Sequence, residues 1–271
     1  MGKYDHLNEK QREAVLHRGG PLLILAGAGS GKTQTMTHRI AHLIEDEGVL
    51  PYNILAVTFT NKAAKEMSER VESLVGDVRG IWIMTFHAAC LRILRKHAEA
   101  LGYTSSFTVY DPGDQKACMK KILKEMNVDD KDFTPAYVLS IVSNYKNRGL
   151  DAEGYLREEG ENFRTKKVYE AFSGYDAFLK KNNAMDFDDL LSNTVKLFKY
   201  FPYVLDEYRE RFHHIMVDEY QDTNAIQYEF IRMLSEGNEI CVVGDDDQCI
   251  YQWRGPNKTA VFLKSRTPFP S

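Results

Sequence analysis

The 271 residues exceed the usual size of one domain, and 43% hydrophobic with 27% charged residues is the make-up of a folded globular chain, excluding disordered, collagen-like and membrane-spanning classes. A formal net charge of −4 supplies no bulk positive field, so any nucleic-acid binding has to come from local basic and aromatic surface. No leader-like amino end or span-length apolar segment is evident, and the widely spaced Cys90, Cys118, Cys241 and Cys249 form no CxxC pair; reduced thiols and a cytoplasmic location are expected.

In chain order, Leu7 to His17 carries its apolar residues at amphipathic spacing and reads as a short helix. Leu22 to Ala26 is a short aliphatic strand, followed by glycines and by a helix from Lys32 to Ile44 that stops before Gly48. A second buried strand is expected at Ile54 to Phe59 with a helix over Ala63 to Leu74, and a third at Ile81 to Phe86 with a helix to about Ala100. Strands alternating with helices predict a parallel sheet.

From Asp111 the pattern becomes helix after helix, and aliphatic strands return only at Ile215 to Val217 and Ile240 to Val243. A helical subdomain inserted in a sheet domain follows, with residues 1–110 and 206–271 forming the sheet domain and residues 111–205 the insertion. The acidic stretch Glu153 to Glu161 reads as a solvated turn, His213 and His214 as ordinary residues entering a strand, and the end from Asn257 as a poorly ordered tail.

The strongest chemical signal is Ala26-Gly27-Ala28-Gly29-Ser30-Gly31-Lys32-Thr33, set between a strand and a helix as a phosphate-binding loop requires. Glycines let successive N–H groups face an anion, the helix amino end adds partial positive charge, Lys32 reaches the β and γ phosphates, and the Thr33 hydroxyl holds Mg²⁺. Ile215-Met216-Val217-Asp218-Glu219 is an apolar strand ending in two carboxylates, where ligands of open α/β sheets gather. Asp218 is the candidate Mg²⁺ ligand and Glu219 the candidate base that orients and deprotonates the attacking water. In the third block, Val242-Val243-Gly244-Asp245-Asp246-Asp247-Gln248, Gln248 is a candidate γ-phosphate sensor, and Asp245 to Asp247 fit an acidic turn or a metal cluster.

Leu7-Asn8-Glu9-Lys10-Gln11, Val57-Thr58-Phe59-Thr60-Asn61-Lys62-Ala63-Ala64, Thr85-Phe86-His87, Asp218-Glu219-Tyr220-Gln221-Asp222-Thr223 and Gly244 to Gly255 stand in the order of the Q motif and motifs Ia, Ib, II and III of superfamily 1 helicases. Together with Met185-Asp186-Phe187-Asp188-Asp189-Leu190 they make the chain, from Leu7 to Pro256, resemble domains 1A and 1B of the superfamily 1A DNA helicases of the UvrD, PcrA and Rep family. The resemblance implies an α/β, RecA-like P-loop NTPase sheet with an inserted helical subdomain, ATP and Mg²⁺ as cofactors, and 3′ to 5′ movement on single-stranded DNA up to duplex junctions.

Residue by residue, it makes Gln11 an adenine contact and Phe59, Tyr251 and Trp253 stacking platforms, with Arg254 near DNA or the ATP-coupling network and Asn61 and His87 at the DNA backbone. Aromatic stacking suits a sequence-tolerant grip of about 1–3 kcal/mol per base. Gln34 stands where relatives often carry an arginine near the base, and the chain stops at Ser271, before motifs IV to VI and the second motor domain. Weak turnover and no unwinding by this stretch alone are therefore expected, with repair or replication proteins as partners of the whole. The rival readings are a P-loop nucleotide kinase, a non-catalytic DNA- or partner-binding fragment, and a helicase-nuclease relative.

Overall fold

A computed structural model describes residues 4–27, 29–128, 132–245 and 259–262, the last as backbone only. The first part of the chain runs α1 (Glu9–Leu16), β1 (Leu22–Leu25), α2 (Lys32–Glu45), β2 (Ile54–Thr58), α3 (Asn61–Val75), β3 (Trp82–Thr85) and α4 (Phe86–His97). Next come β4 (Thr108–Val109), α5 (Pro112–Glu125), α6 (Pro135–Asn147), α7 (Ala152–Glu159), α8 (Phe163–Lys181), β5 (Ala184–Met185) and α9 (Phe187–Tyr200). The chain continues with α10 (Pro202–Arg211), β6 (His214–Val217), α11 (Ala225–Ser235), β7 (Glu239–Gly244) and β8 (Thr259–Phe262). None of the helices among the described residues is long and apolar enough to cross a membrane.

Contacts divide the chain into two compact units, one of Met1–Ala89, Asp206–Thr223 and Leu234–Ser271 and one of Cys90–Leu205 and Asn224–Met233. The first holds a six-stranded sheet in the order β3-β2-β6-β7-β1-β8, parallel at every pairing. Every residue of β1 and β2 is buried, as strands covered on both faces by crossover helices must be. Ile24, Ile54, Ala56, Met216 and Val243 from the sheet pack with Met36 and Ile40 of α2 and Met67 and Val71 of α3 in one core.

Two expectations are corrected here. Glu153 to Glu161 is not a solvated turn: residues 152–159 form α7, capped by Asp151 and burying Ala152, Gly154 and Tyr155, because its apolar positions share one helical face. The segment after Asn257 contains β8, which pairs in parallel with β1 from Leu22↔Thr259 to Leu25↔Phe262. The run Thr259-Ala260-Val261-Phe262 has strand chemistry and follows the turn residues Gly255-Pro256-Asn257, but four residues are too short to stand out by alternation.

The second unit is a helical bundle with a short parallel pair, β4–β5, beside it. Its polar centre is Lys146 at the end of α6, a nearly fully buried ammonium that lies 3.0 Å from Asp186, 2.7 Å from Asp189 and 3.1 Å from Asp176. Asp186 and Asp189 also form the reciprocal capping box of α9, so one lysine ties the carboxyl end of α6 to the amino end of α9. Burial pulls the Lys146 pKa down, but the three carboxylates outweigh it and hold it well above the ordinary value. Burial drives Asp189 the other way from a normal carboxylate, up to about 6, against the pull of Lys146.

Lys146→Met leaves these carboxylates buried without their counter-charge and is expected to cost about 3–5 kcal/mol at neutral pH. Because the folded pKa of Asp189 exceeds its unfolded value, its contribution is most favourable below that unfolded value and erodes as pH rises through about 6. The Lys146→Met penalty should therefore shrink when urea unfolding, followed by circular dichroism, is repeated at about pH 5; a penalty that grows on acidification contradicts the assignment.

Candidate functional site

The sheet places the chemistry by strand order. Parallel strands end on one edge, and β7 lies between β6 and β1, so the loops after all three converge there. Neighbouring strands are about 4.8 Å apart, which puts the ends of β1 and β6 within the reach of one lysine side chain.

After β1, Ala26 is buried and its N–H donates to the Gly244 carbonyl at 3.1 Å, anchoring the loop root to β7. The Ser30 hydroxyl donates to the Gly27 carbonyl at 2.6 Å and curls the loop. Gly29 and Gly31 have φ of 72° and 86°, the left-handed region that glycine enters without penalty, and Gly31 is the N-cap of α2. A Cβ on Gly27 or Gly29 would meet no atom within 4 Å, whereas one on Gly31 would lie 2.5 Å from Gln11 Nε2. The first two glycines thus border open space, and the third is tightly packed.

Gln11 is buried. Its Nε2 donates to the Ser30 carbonyl at 3.0 Å, and its Oε1 accepts from the Asn8 N–H at 3.0 Å in the capping box of α1. Helix α1 is itself fixed to α2, because Arg39 Nη1 donates to the carbonyls of Ala14 and His17 at 3.0 and 2.9 Å and caps the carboxyl end of α1. At the other end His6 Nε2 and His38 Nε2 stand 2.9 Å apart. His38 Nδ1 faces the Gln34 carbonyl at 2.8 Å and must be its donor, so His6 supplies the proton of the His6–His38 bond when His38 is neutral.

Lys32 opens α2, and its ammonium reaches Glu219 Oε2 at 3.1 Å and Asp245 Oδ1 at 2.7 Å. Burial lowers the Lys32 pKa, but hydrogen bonds to Asp245 and Glu219 more than offset this and raise it. Asp218, buried at the end of β6, is pushed up to about 6 by burial and by the neighbouring Glu219 charge, against a hydrogen bond from the Glu219 N–H. A cation beside Asp218 would relieve both effects. Glu219 itself sits at φ 48° and ψ 45°, a left-handed conformation that costs a non-glycine residue about 1–3 kcal/mol and clusters at functional sites. The 3-10 turn Tyr220–Asp222 follows, with Tyr220 buried beneath it.

Gln221 was not among the residues singled out from the sequence. Its Nε2 donates to Glu219 Oε2 at 2.6 Å and its Oε1 accepts from the Asp245 N–H at 3.2 Å. Asp245, read as part of an acidic turn or metal cluster, is an ion-pair partner of Lys32. Both residues lie within the blocks likened to motifs II and III, but nothing in the sequence says that these two blocks meet through them.

Thr33 lies half-buried in the first turn of α2. Phe59 is half-buried after β2 with its ring 5.4 Å from Phe86, Asn61 is exposed at the start of α3, and His87 is half-buried near the start of α4. All three follow β2 or β3 on the edge that carries Lys32 and Glu219. Ala28, Gln248, Tyr251, Trp253 and Arg254 lie outside the described residues, as do Asp246 and Asp247. The described residues contain no group of three or more His, Cys, Asp or Glu side chains arranged to hold a metal alone.

The profile of the UvrD/REP helicase N-terminal domain matches residues 7–270. The ATP-dependent DNA helicase PcrA of Staphylococcus aureus is 49% identical over 253 residues, which cover 93% of this chain and 34% of the relative. PcrA of Staphylococcus epidermidis is 49% identical over 252 residues, covering 92% of this chain and 34% of that protein. The chain thus spans about a third of the length of these curated relatives.

Gly31→Ala should destabilise the loop through both the Gln11 contact and the left-handed backbone, by about 1–3 kcal/mol in thermal unfolding. In a Gln11→Ala background the contact is gone but the backbone strain is not, so Gly31→Ala should cost less there than in wild type; an equal cost in both backgrounds would place all of it in the backbone.

Proposed function

The chain belongs to the UvrD/REP helicase family, and from that membership we propose that it is the nucleotide-binding front part of a DNA-dependent ATPase that moves 3′ to 5′ along single-stranded DNA and opens duplex junctions. Residues 1–110 and 206–271 act as the RecA-like motor domain and 111–205 as the inserted helical subdomain. The observation that carries this reading is the meeting of Lys32 and Glu219, 187 residues apart in sequence and 3.1 Å apart in space, at the shared edge of a parallel sheet.

The residues fit a magnesium-bound triphosphate. Open space beside Gly27 and Gly29, a lysine at the helix start and a buried carboxylate in need of positive charge are the donor set that such a group uses. The stretch Ala26 to Gly31, including Ala28, cradles phosphates through its N–H groups, and Lys32 neutralises them. Thr33 and Asp218 hold Mg²⁺, which supplies the charge that stabilises phosphoryl transfer. Glu219 orients water and takes its proton, and Gln248 senses the γ phosphate.

Gln11 both braces the loop and offers an edge to adenine. On the strand, Phe59, Tyr251 and Trp253 stack bases, while Asn61, His87 and Arg254 meet the backbone or couple it to the ATP site. The stretch matched spans about a third of the PcrA relatives' length, and on this reading it hydrolyses ATP weakly and does not unwind duplex by itself. The whole protein serves repair or replication in the cytoplasm, with partners from those processes.

Lys32→Ala is expected to abolish the ATP hydrolysis that single-stranded DNA stimulates, measured as phosphate release under single-turnover conditions. Equal release by wild type and variant removes the enzymatic reading, and phosphate transfer to a nucleoside monophosphate would make the chain a kinase.

A further inference from the structure

We infer that Gln221 is a positioning residue that fixes the Glu219 carboxylate and ties it to the end of β7, an inference that rests on the role proposed for Glu219. Four residues close a ring, through the main chain at Asp245: Lys32 to Glu219 at 3.1 Å, Glu219 to Gln221 at 2.6 Å, Gln221 to the Asp245 N–H at 3.2 Å, and the Asp245 carboxylate back to Lys32 at 2.7 Å. Three of them are charged, and Gln221 is the neutral member.

The amide is fixed at both ends. Turning it over would set its NH₂ against the Asp245 N–H and its oxygen against the Glu219 carboxylate, so only one orientation satisfies both contacts. A carboxylate at this position would keep the acceptor for Asp245 but repel Glu219, so glutamine meets a demand that glutamate does not.

Glu219 needs such a holder. Its side chain is 40% exposed, and an exposed carboxylate explores several rotamers unless it is held. Of its side-chain partners among the described residues, Lys32 is the group that turns toward phosphate on the proposed reading, whereas Gln221 belongs to the same 3-10 turn as Tyr220 and moves with it. Gln221 also makes the end of β7 part of the same unit, so a displacement of residue 245 reaches the Glu219 carboxylate through one amide group.

The test compares Gln221→Ala and Gln221→Glu with wild type and Lys32→Ala, reading affinity for a fluorescent Mg-ATP analogue and single-turnover hydrolysis with single-stranded DNA. Both Gln221 variants should slow hydrolysis of bound nucleotide about 10–100-fold, the scale of a misplaced reacting group, with nucleotide affinity changed far less. A Gln221→Glu variant as fast as wild type overturns the inference, since glutamate keeps the acceptor for the Asp245 N–H but loses the donor to Glu219. If wild type is no faster than Lys32→Ala, the functional reading fails instead, and nuclear magnetic resonance still decides the geometry. The Gln221 side-chain amide, assigned by its loss in Gln221→Ala, should carry a proton hydrogen-bonded to Glu219 that shifts in Glu219→Ala. An amide pair indifferent to Glu219→Ala overturns the inference whatever the chain hydrolyses.

Discussion

One cation joins the ends of the strands. Lys32 follows β1, Asp245 follows β7 and Glu219 follows β6, and the order β6-β7-β1 makes them neighbours although the sequence separates them widely. Burial alone would strip the ammonium of its proton more easily; the two carboxylates reverse that. The charge is thus kept by the same groups that the sheet brings together, and it exists as a useful charge only in the folded chain. Asp218 is the complementary case, a buried carboxylate beside another negative charge with no side-chain cation in hydrogen-bond contact among the described residues.

Around that centre the backbone is shaped by local chemistry. Left-handed glycines open the phosphate loop, and Gln11 closes over Gly31 so tightly that no Cβ fits. Gln11 can do so because α1 is held at one end by Arg39 and at the other by His6 and His38. Glu219 is the reverse case, a left-handed backbone at a residue with a side chain, whose N–H donates to Asp218 and whose carbonyl accepts from the Asp222 N–H. The buried turn beneath it, with Tyr220 in the core, supplies the compensation.

The parallel sheet was legible because its strands are short aliphatic runs separated by amphipathic helices, and most of their boundaries moved by only a residue or two. Phe59 fell just outside β2, and Phe86 opened α4 rather than closing β3, since aromatic residues suit both conformations. The motifs pointed to the loop after β1 and to the carboxylates after β6. What the sequence could not supply was contact between distant residues: the Lys32–Asp245 pair, the Gln221 bridge and the Lys146 cluster each depend on strand order or helix packing. The helix α7 and the strand β8 were hidden for a different reason, because acidic and mixed segments carry little periodic signal until a partner face is known.

The position of β8 bears on how the molecule is made. Strand β1 has β7 on one side and β8 on the other, so the root of the phosphate loop takes its backbone partners from strands far along the sequence. During synthesis β1 emerges before β7 and β8 and must wait, aliphatic and unpaired, until both have followed it. Such long-range pairing makes for slow assembly, and the nucleotide loop cannot take its final form before β7 and β8 are in place. A ribosome carrying this chain would hold its oldest strand open for longest, which is the interval in which a chaperone would find it.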